Sequence, residues 1–358
     1  MFSEAILMKD RGIARLAGAG LVPLAALAVA LFFAPTASAN PIASGSTALK
    51  LDKGVTKVLK QNKVRVTPIG PATVQGGAVS FPITGGSLDP STAVGTIRHS
   101  GGLRFKVGKR QLVTRSFTVK TGKGNVLIAK VGRASVPLLS LDLKKAKVSR
   151  NGLGITVRSV GVSLTGVAAR ALNRTFKVKL FSKGLKLGSV VVKTQPSSVK
   201  LAAEGSTDLT LDPAAAGALT SLGVAVAPIG PATALPGGEI SFPITGGRAN
   251  TSTFAGSIRH SGGISLTKGM TVVELTNFTI NVDGEPDLTA VLNGGDRVSI
   301  LDLDLSALTA DVSGLDITLG NASAGLTAAA AGALSAAFGA PIPAGLTLGS
   351  ATVKAVAR

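Results

Sequence analysis

Cysteine, tyrosine and tryptophan are absent from this chain of 358 residues, and histidine occurs only twice. Without cysteine there is no disulfide framework, no thiolate nucleophile, no lipid-modified cysteine and no cysteine metal site, so stability must come from burial. Without tyrosine and tryptophan the chain lacks the amphipathic side chains that usually anchor carbohydrate and protein interfaces. Carboxylates are scarce over 46–194, where only Asp52, Asp89 and Asp142 occur, too few to supply the paired carboxylates of general acid and base chemistry. Two histidines, far apart in sequence, fall short of the three or four protein ligands that zinc needs. There is no calcium-binding loop of the EF-hand type, no glycine-rich phosphate loop with its lysine, and no G-x-S-x-G nucleophile turn. The expectation is a chain that is not an enzyme.

What is present begins with Lys9, Arg11 and Arg15, followed by the apolar run LAGAGLVPLAALAVALFFA and then PTASAN, with small residues at Ala37 and Ala39. This three-part pattern reads as a secretory signal peptide over residues 1–39, cut after Ala39, with an uncleaved membrane anchor as the alternative. No later segment is apolar enough to span a bilayer. The mature chain is therefore expected to have no transmembrane span and to be secreted or associated with the cell envelope.

At an offset of 160 to 162 residues the chain matches itself from end to end. STALKLD at 46–52 meets STDLTLD at 206–212, and VTPIGPAT at 66–73 meets VAPIGPAT at 226–233. SFPITGG at 80–86 recurs at 241–247, and GLKLGSVVVK at 184–193 recurs as GLTLGSATVK at 345–354. A repeat this long predicts two domains, 46–194 and 206–354, joined by a linker over 195–205.

The copies differ in charge. Residues 46–194 hold 28 Lys and Arg against 3 Asp and Glu, a net of +25, whereas 206–354 hold 5 against 12, a net of −7. Such a basic copy suits an anionic partner, a cell-wall polymer or an anionic lipid surface; mutual attraction of the copies and a merely solvated surface are the competing readings. Nucleic acid is not expected, because the chain carries an export signal and the aromatics that stack on single strands are few.

Most segments alternate between apolar and polar residues. In LRFKVGK, Leu103, Phe105 and Val107 face one way and Arg104 and Lys106 the other; NFTINVDG repeats the rhythm with Phe278, Ile280 and Val282. Broken by glycine-rich punctuation, this predicts short half-buried antiparallel strands, with Pro82 and Pro243 at edges or strand starts. Helices are predicted near 51–63 and 164–176 and their repeats, with Asp212 ahead of Pro213 and with Thr165 and Thr327 as N-caps. The fold class is mainly β: two tandem homologous β-sandwich or β-roll domains, each with two short packing helices.

The two histidines stand in one context, TIRHSGG at 96–102 and SIRHSGG at 257–263. Alternation puts Ile97 and His99, and likewise Ile258 and His260, on the core side of a strand that ends at a glycine turn. An imidazole at such a hairpin lip is either open to a ligand or bridges backbone groups of the turn. The adjacent Ser100 points the opposite way, which is wrong for a nucleophile and its base. Asp142 in LLSLDL and Asp304 in ILDLDL are carboxylates that the copies share.

FAGSIRHSGGISL (254–266), LTNFTINVDGEPDLTAVL (275–292) and, after the last helix of the first copy, FSKGLKLGS (181–189) resemble HtaA domains, the repeated haem-binding modules of exported and surface-anchored actinobacterial proteins. The resemblance spans most of both copies through short, glycine-driven motifs. It implies haem as cofactor. In that family a tyrosine holds the iron with a histidine assisting, and this chain has no tyrosine, so the axial ligand does not carry over. His99 and His260 match the assisting position and could ligate iron directly; Arg98 and Arg104, and Arg259 in the second copy, could pair with propionates. Two functions follow from these readings: an exported envelope binding protein that takes haem or a similar small anion, or a non-catalytic structural or adhesive wall protein whose basic domain binds anionic polymer.

Overall fold

A computed structural model of the chain describes residues 39–358. The expected signal peptide lies outside the described residues, apart from Ala39 at its end. Among the described residues no helix is long and apolar enough to cross a membrane.

The first half runs β1 (Asn40–Leu51), α1 (Lys53–Gln61), β2 (Arg65–Ile69), β3 (Thr73–Gln75), β4 (Ala78–Leu88), β5 (Gly95–His99), β6 (Gly102–Val107), β7 (Arg110–Thr121), β8 (Val126–Val131), β9 (Ala134–Asp142), β10 (Lys147–Asn151), β11 (Gly154–Leu164), α2 (Gly166–Phe176) and β12 (Lys186–Pro196). The second repeats it: β13 (Ser198–Leu211), α3 (Pro213–Ser221), β14 (Ala225–Ile229), β15 (Thr233–Ala234), β16 (Ile240–Asn250), β17 (Gly256–His260), β18 (Gly263–Lys268), β19 (Thr271–Asn281), β20 (Asp287–Leu292), β21 (Arg297–Asp304), β22 (Thr309–Ser313), β23 (Asp316–Leu326), α4 (Ala328–Phe338) and β24 (Thr347–Ala357). The chain is thus two tandem, mainly β domains of the same topology, each with two short helices. In the first, β7, β5, β4, β1, β12, β11, β9 and β8 pair in that order and β8 returns to β7, so eight antiparallel strands close on themselves. The second closes in the same way through β19 and β20. Closure pairs each of the eight barrel strands on both sides, so the barrel itself has no free edge. Strands β6 and β2 continue past the barrel from the first part of β7, forming a flap, as β18 and β14 do from β19.

Inward positions carry the core, including Phe81, Ile97, Phe117, Val157 and Val162 in the first domain. Bulges break the period of two at several points, and those on β7 and β11 shift the spacing of buried residues. On β7 the buried positions run Thr114, Phe117, Val119, because Ser116 takes a left-handed φ of 51° and one extra residue enters the strand. On β11 the step from Val157 to Val160 has the same cause, with Ser159 at φ 61°. Neither of these two bulges is visible in the alternation of the sequence.

Helix starts follow the sequence. Thr165 and Thr327 accept the amides of Ala168 and Ala330, and Asp212 accepts those of Ala214 and Ala215 ahead of Pro213. Asp52 makes no such side-chain bond.

Two expectations are corrected. The linker placed at 195–205 is strand: β12 ends at Pro196, β13 begins at Ser198, and only Ser197 separates them. Its amide bonds the Pro41 carbonyl and its carbonyl accepts the Thr251 amide, so the junction is pinned from both domains. Pro82 and Pro243 also do not mark edges or starts; they lie inside β4 and β16. Each sits where the neighbouring strand has just ended, its carbonyl taking the amide of Ser100 or Ser261.

Candidate functional site: histidine clasp, apolar chamber and cationic face

His99 closes β5 and is only 5% exposed; His260 closes β17 at 4%. The rings are buried on the core side that alternation gives them; of the two readings of the sequence, open to a ligand at the hairpin lip or bonded within the protein, the geometry matches the bonded one. The cause is the turn that follows. Gly101 has φ 85° and lies so close to the IGPAT turn that a Cβ there would stand 2.7 Å from the Ala72 amide nitrogen. Gly262 has φ 81° and meets Ala232 in the same way. The SGG segment therefore folds in under its neighbour, and only glycine tolerates both the backbone angle and the contact.

Both ring nitrogens are engaged. Nδ1 of His99 lies 3.3 Å from the Phe117 carbonyl, and Nε2 lies 2.6 Å from the Thr47 hydroxyl. A carbonyl can only accept, so Nδ1 carries the proton, and Thr47 donates to Nε2. The Phe117 carbonyl follows the Ser116 bulge, where the β7–β8 ladder skips from Arg115 to Thr118, which leaves this carbonyl free for the ring. The second domain repeats the set: Thr207 at 2.7 Å, the Phe278 carbonyl at 3.2 Å, and Asn277 at φ 52° in the bulge. Thr47 is on β1 and His99 on β5, the two strands flanking β4, so the bond spans the intervening strand as a clasp. Edge-to-face ring pairs, Phe81 with Phe117 and Phe242 with Phe278, involve residues of the same strands at 5.0 Å. Burial pushes the His99 and His260 pKa values down to about 4, outweighing the backbone bond that favours the charged form.

Each clasp borders an apolar chamber bounded by the barrel mouth, the flap and both helices. In the first domain it measures about 160 Å³ and is lined by residues such as Leu59, Val66, Phe81, Leu103, Phe117 and Leu172. In the second it measures about 140 Å³, with Leu219, Val226, Phe242, Ile264, Phe278 and Leu334 at the repeat positions. At the cost per unit volume measured for cavities in protein cores, a void of this size is worth about 3–4 kcal/mol of lost stability.

The arginines lie elsewhere. Arg98 and Arg259 are exposed on the outer face, opposite their histidine neighbours. Each runs along a glycine: a Cβ on Gly85 or Gly246 would stand 3.1 Å from the guanidinium. Arg104 is exposed on the outer face of β6, while Leu103 is buried. None of the three shares a site with an imidazole, and the expected grouping of His99 with Arg98 and Arg104 does not form. The shared carboxylates serve turns, Asp142 accepting the Lys144 amide and Asp304 the Ser306 amide.

These features do not fit haem as the resemblance implied. There is no tyrosine, each imidazole already bonds at both nitrogens, the cations face outward, and the chamber is smaller than the roughly 300–1,000 Å³ of pockets for drug-sized ligands.

The basic excess is visible in the sequence, but its arrangement depends on strand register. Strand register sets Arg65 opposite Lys106, Arg115 opposite Lys130, and Lys147 opposite Arg158. With Arg104 two residues before Lys106 on the same side of β6, five of these cations share the exposed outer face of β2, β6, β7 and β8. Like charges directly opposite are unfavourable. Among the described residues the one ion pair is Lys354 with Asp208, at 2.9 Å, and it is in the second domain. There the three like-charged pairs become Ala225 with Thr267, Thr276 with Val291, and Thr309 with Gly320.

No family model and no curated protein matches the chain. Among solved structures it is similar to the C-terminal domain of HtaA from Corynebacterium glutamicum, at 14% identity and a TM-score of 0.34, over 44% of this chain and 98% of that one.

Proposed function

We propose that the chain is a non-catalytic binding protein of the cell exterior whose first domain holds an anionic polymer or anionic lipid surface through the outer face of β2, β6, β7 and β8. The observation that supports this most is the like-charge register. Arg65 with Lys106 and Arg115 with Lys130 repel in the free protein, and the same fold does without these charges in the second domain. A polyanion laid across the face relieves the repulsion and releases its own counterions, which favours binding at low salt.

The test is retention on immobilised polyphosphate and on vesicles rich in phosphatidylglycerol. The triple variant Arg104→Ser, Lys106→Thr, Arg115→Thr places the second domain's residues in the first. Retention should fade as salt rises through about 0.1–0.2 M and should fall several-fold in the variant. Retention that ignores both salt and the variant refutes the proposal.

Haem is the second reading, favoured only by the place of His99 and His260 beside a chamber. It requires the Thr47 and Thr207 bonds to open and the chamber to enlarge.

A further inference from the structure

We infer that the two chambers are binding sites for small uncharged apolar molecules of about benzene size. Three observations carry this. First, protein interiors hold few voids larger than a water molecule, yet this chain keeps one of about 160 Å³ and one of about 140 Å³ that share the barrel-mouth positions in both domains, the second running on into the barrel interior past Ile258, Ile280 and Val353. The lining is rebuilt between them: Phe105 becomes Leu266 and Leu103 becomes Ile264, and the space survives.

Second, the walls suit only an apolar guest. No polar atom is exposed to either chamber. The polar residues on the first wall are Thr47, His99 and Thr114, and each already bonds within the protein: Thr47 to His99, His99 to the Phe117 carbonyl, and Thr114 to the Leu103 carbonyl. A water molecule there would find none of the two to four partners it needs, and a charged or strongly polar ligand would lose its hydration without replacement. A cavity of about 150 Å³ lined by Leu, Ile and Phe stays dry and accepts benzene or xenon, which matches both size and chemistry here.

Third, the cover is light. α1 has no buried residue and meets the chamber only through Val55 and Leu59, while α3 buries Ala215 alone. A helix held by so little apolar surface opens at low cost, giving a path that does not require the barrel to unfold. The clasp stays intact when a guest enters, because the guest needs no bond from either imidazole.

The experiment uses the whole mature chain. Crystals pressurised with xenon should show a xenon peak in each chamber, and titration with benzene in solution should give two sites per chain. The variant Ala324→Leu, at a chamber-lining residue 2% exposed on β23, fills the second chamber and should reduce the stoichiometry to one, with the first xenon peak unchanged. Xenon absent from both chambers, or ordered water found in them, overturns the inference. So does a benzene stoichiometry that Ala324→Leu leaves at two in a folded protein. If Ala324→Leu does not fold, Ala168→Leu on α2 makes the same test in the first domain, where loss of that domain's xenon peak alone is expected. None of these readouts depends on the cationic face, so the two proposals fail separately.

Discussion

The Thr47 hydroxyl meets Nε2 of His99 at 2.6 Å across an intervening strand, and Thr207 meets His260 in the same way at 2.7 Å. Two domains that differ greatly in net charge keep this bond, along with its backbone partner on the neighbouring bulge. The arrangement ties three strands together beside the chamber and fixes the neutral Nδ1–H tautomer. Its consequences can be measured.

Stability should fall on mild acidification. Burial holds both imidazoles near pKa 4 in the folded protein, below the ordinary 6.5. The folded state therefore binds fewer protons than the unfolded one in this window. The contribution is fully present above about pH 6.5 and is lost as pH drops towards 4, reaching about 3 kcal/mol per histidine. Urea unfolding at pH 7, 5.5 and 4.5 reads the slope, and His99→Leu should remove the first domain's share.

Thr47→Val keeps the side-chain shape and removes the donor to Nε2. The ring nitrogen is then buried without a partner, at a cost of about 1–3 kcal/mol to the first domain. Thr47→Ser should recover most of the loss. Equal stability of the Val and Ser variants in thermal melts would show that the clasp carries little.

Replacing Arg115 by Thr and Lys130 by Val, the second domain's residues at that register pair, removes a like-charge contact. The gain should be about 0.2–1 kcal/mol at low ionic strength and should vanish in high salt. A loss of stability at low salt would mean that these side chains are held by attraction.

Hemin added at neutral pH should give no histidine-dependent Soret shift, because an iron ligand would have to displace a buried hydroxyl from Nε2. A shifted band that His99→Ala abolishes would establish the haem reading and the opening of the clasp together.

Glycine turns, strand alternation, helix caps and the long internal repeat were legible because each is a local pattern with a local cause. Phe105, Val107, Thr165 and Pro213 could be placed from their neighbours alone, and the sequence by itself determined a duplicated, mainly β chain with its cations gathered in one copy. Alternation alone put the histidines on the core side; only the tertiary structure decided how deeply they are buried and what they bond. Their burial depends on Gly101 packing against Ala72, about thirty residues away, and on a bulge at Ser116 that a strict period of two does not show. It also decided that Arg65 stands opposite Lys106 and Arg115 opposite Lys130, since register joins residues distant in sequence. The chambers, too, belong to the folded molecule, because a void is what remains when strands and helices that are each locally satisfied fail to fill the space between them.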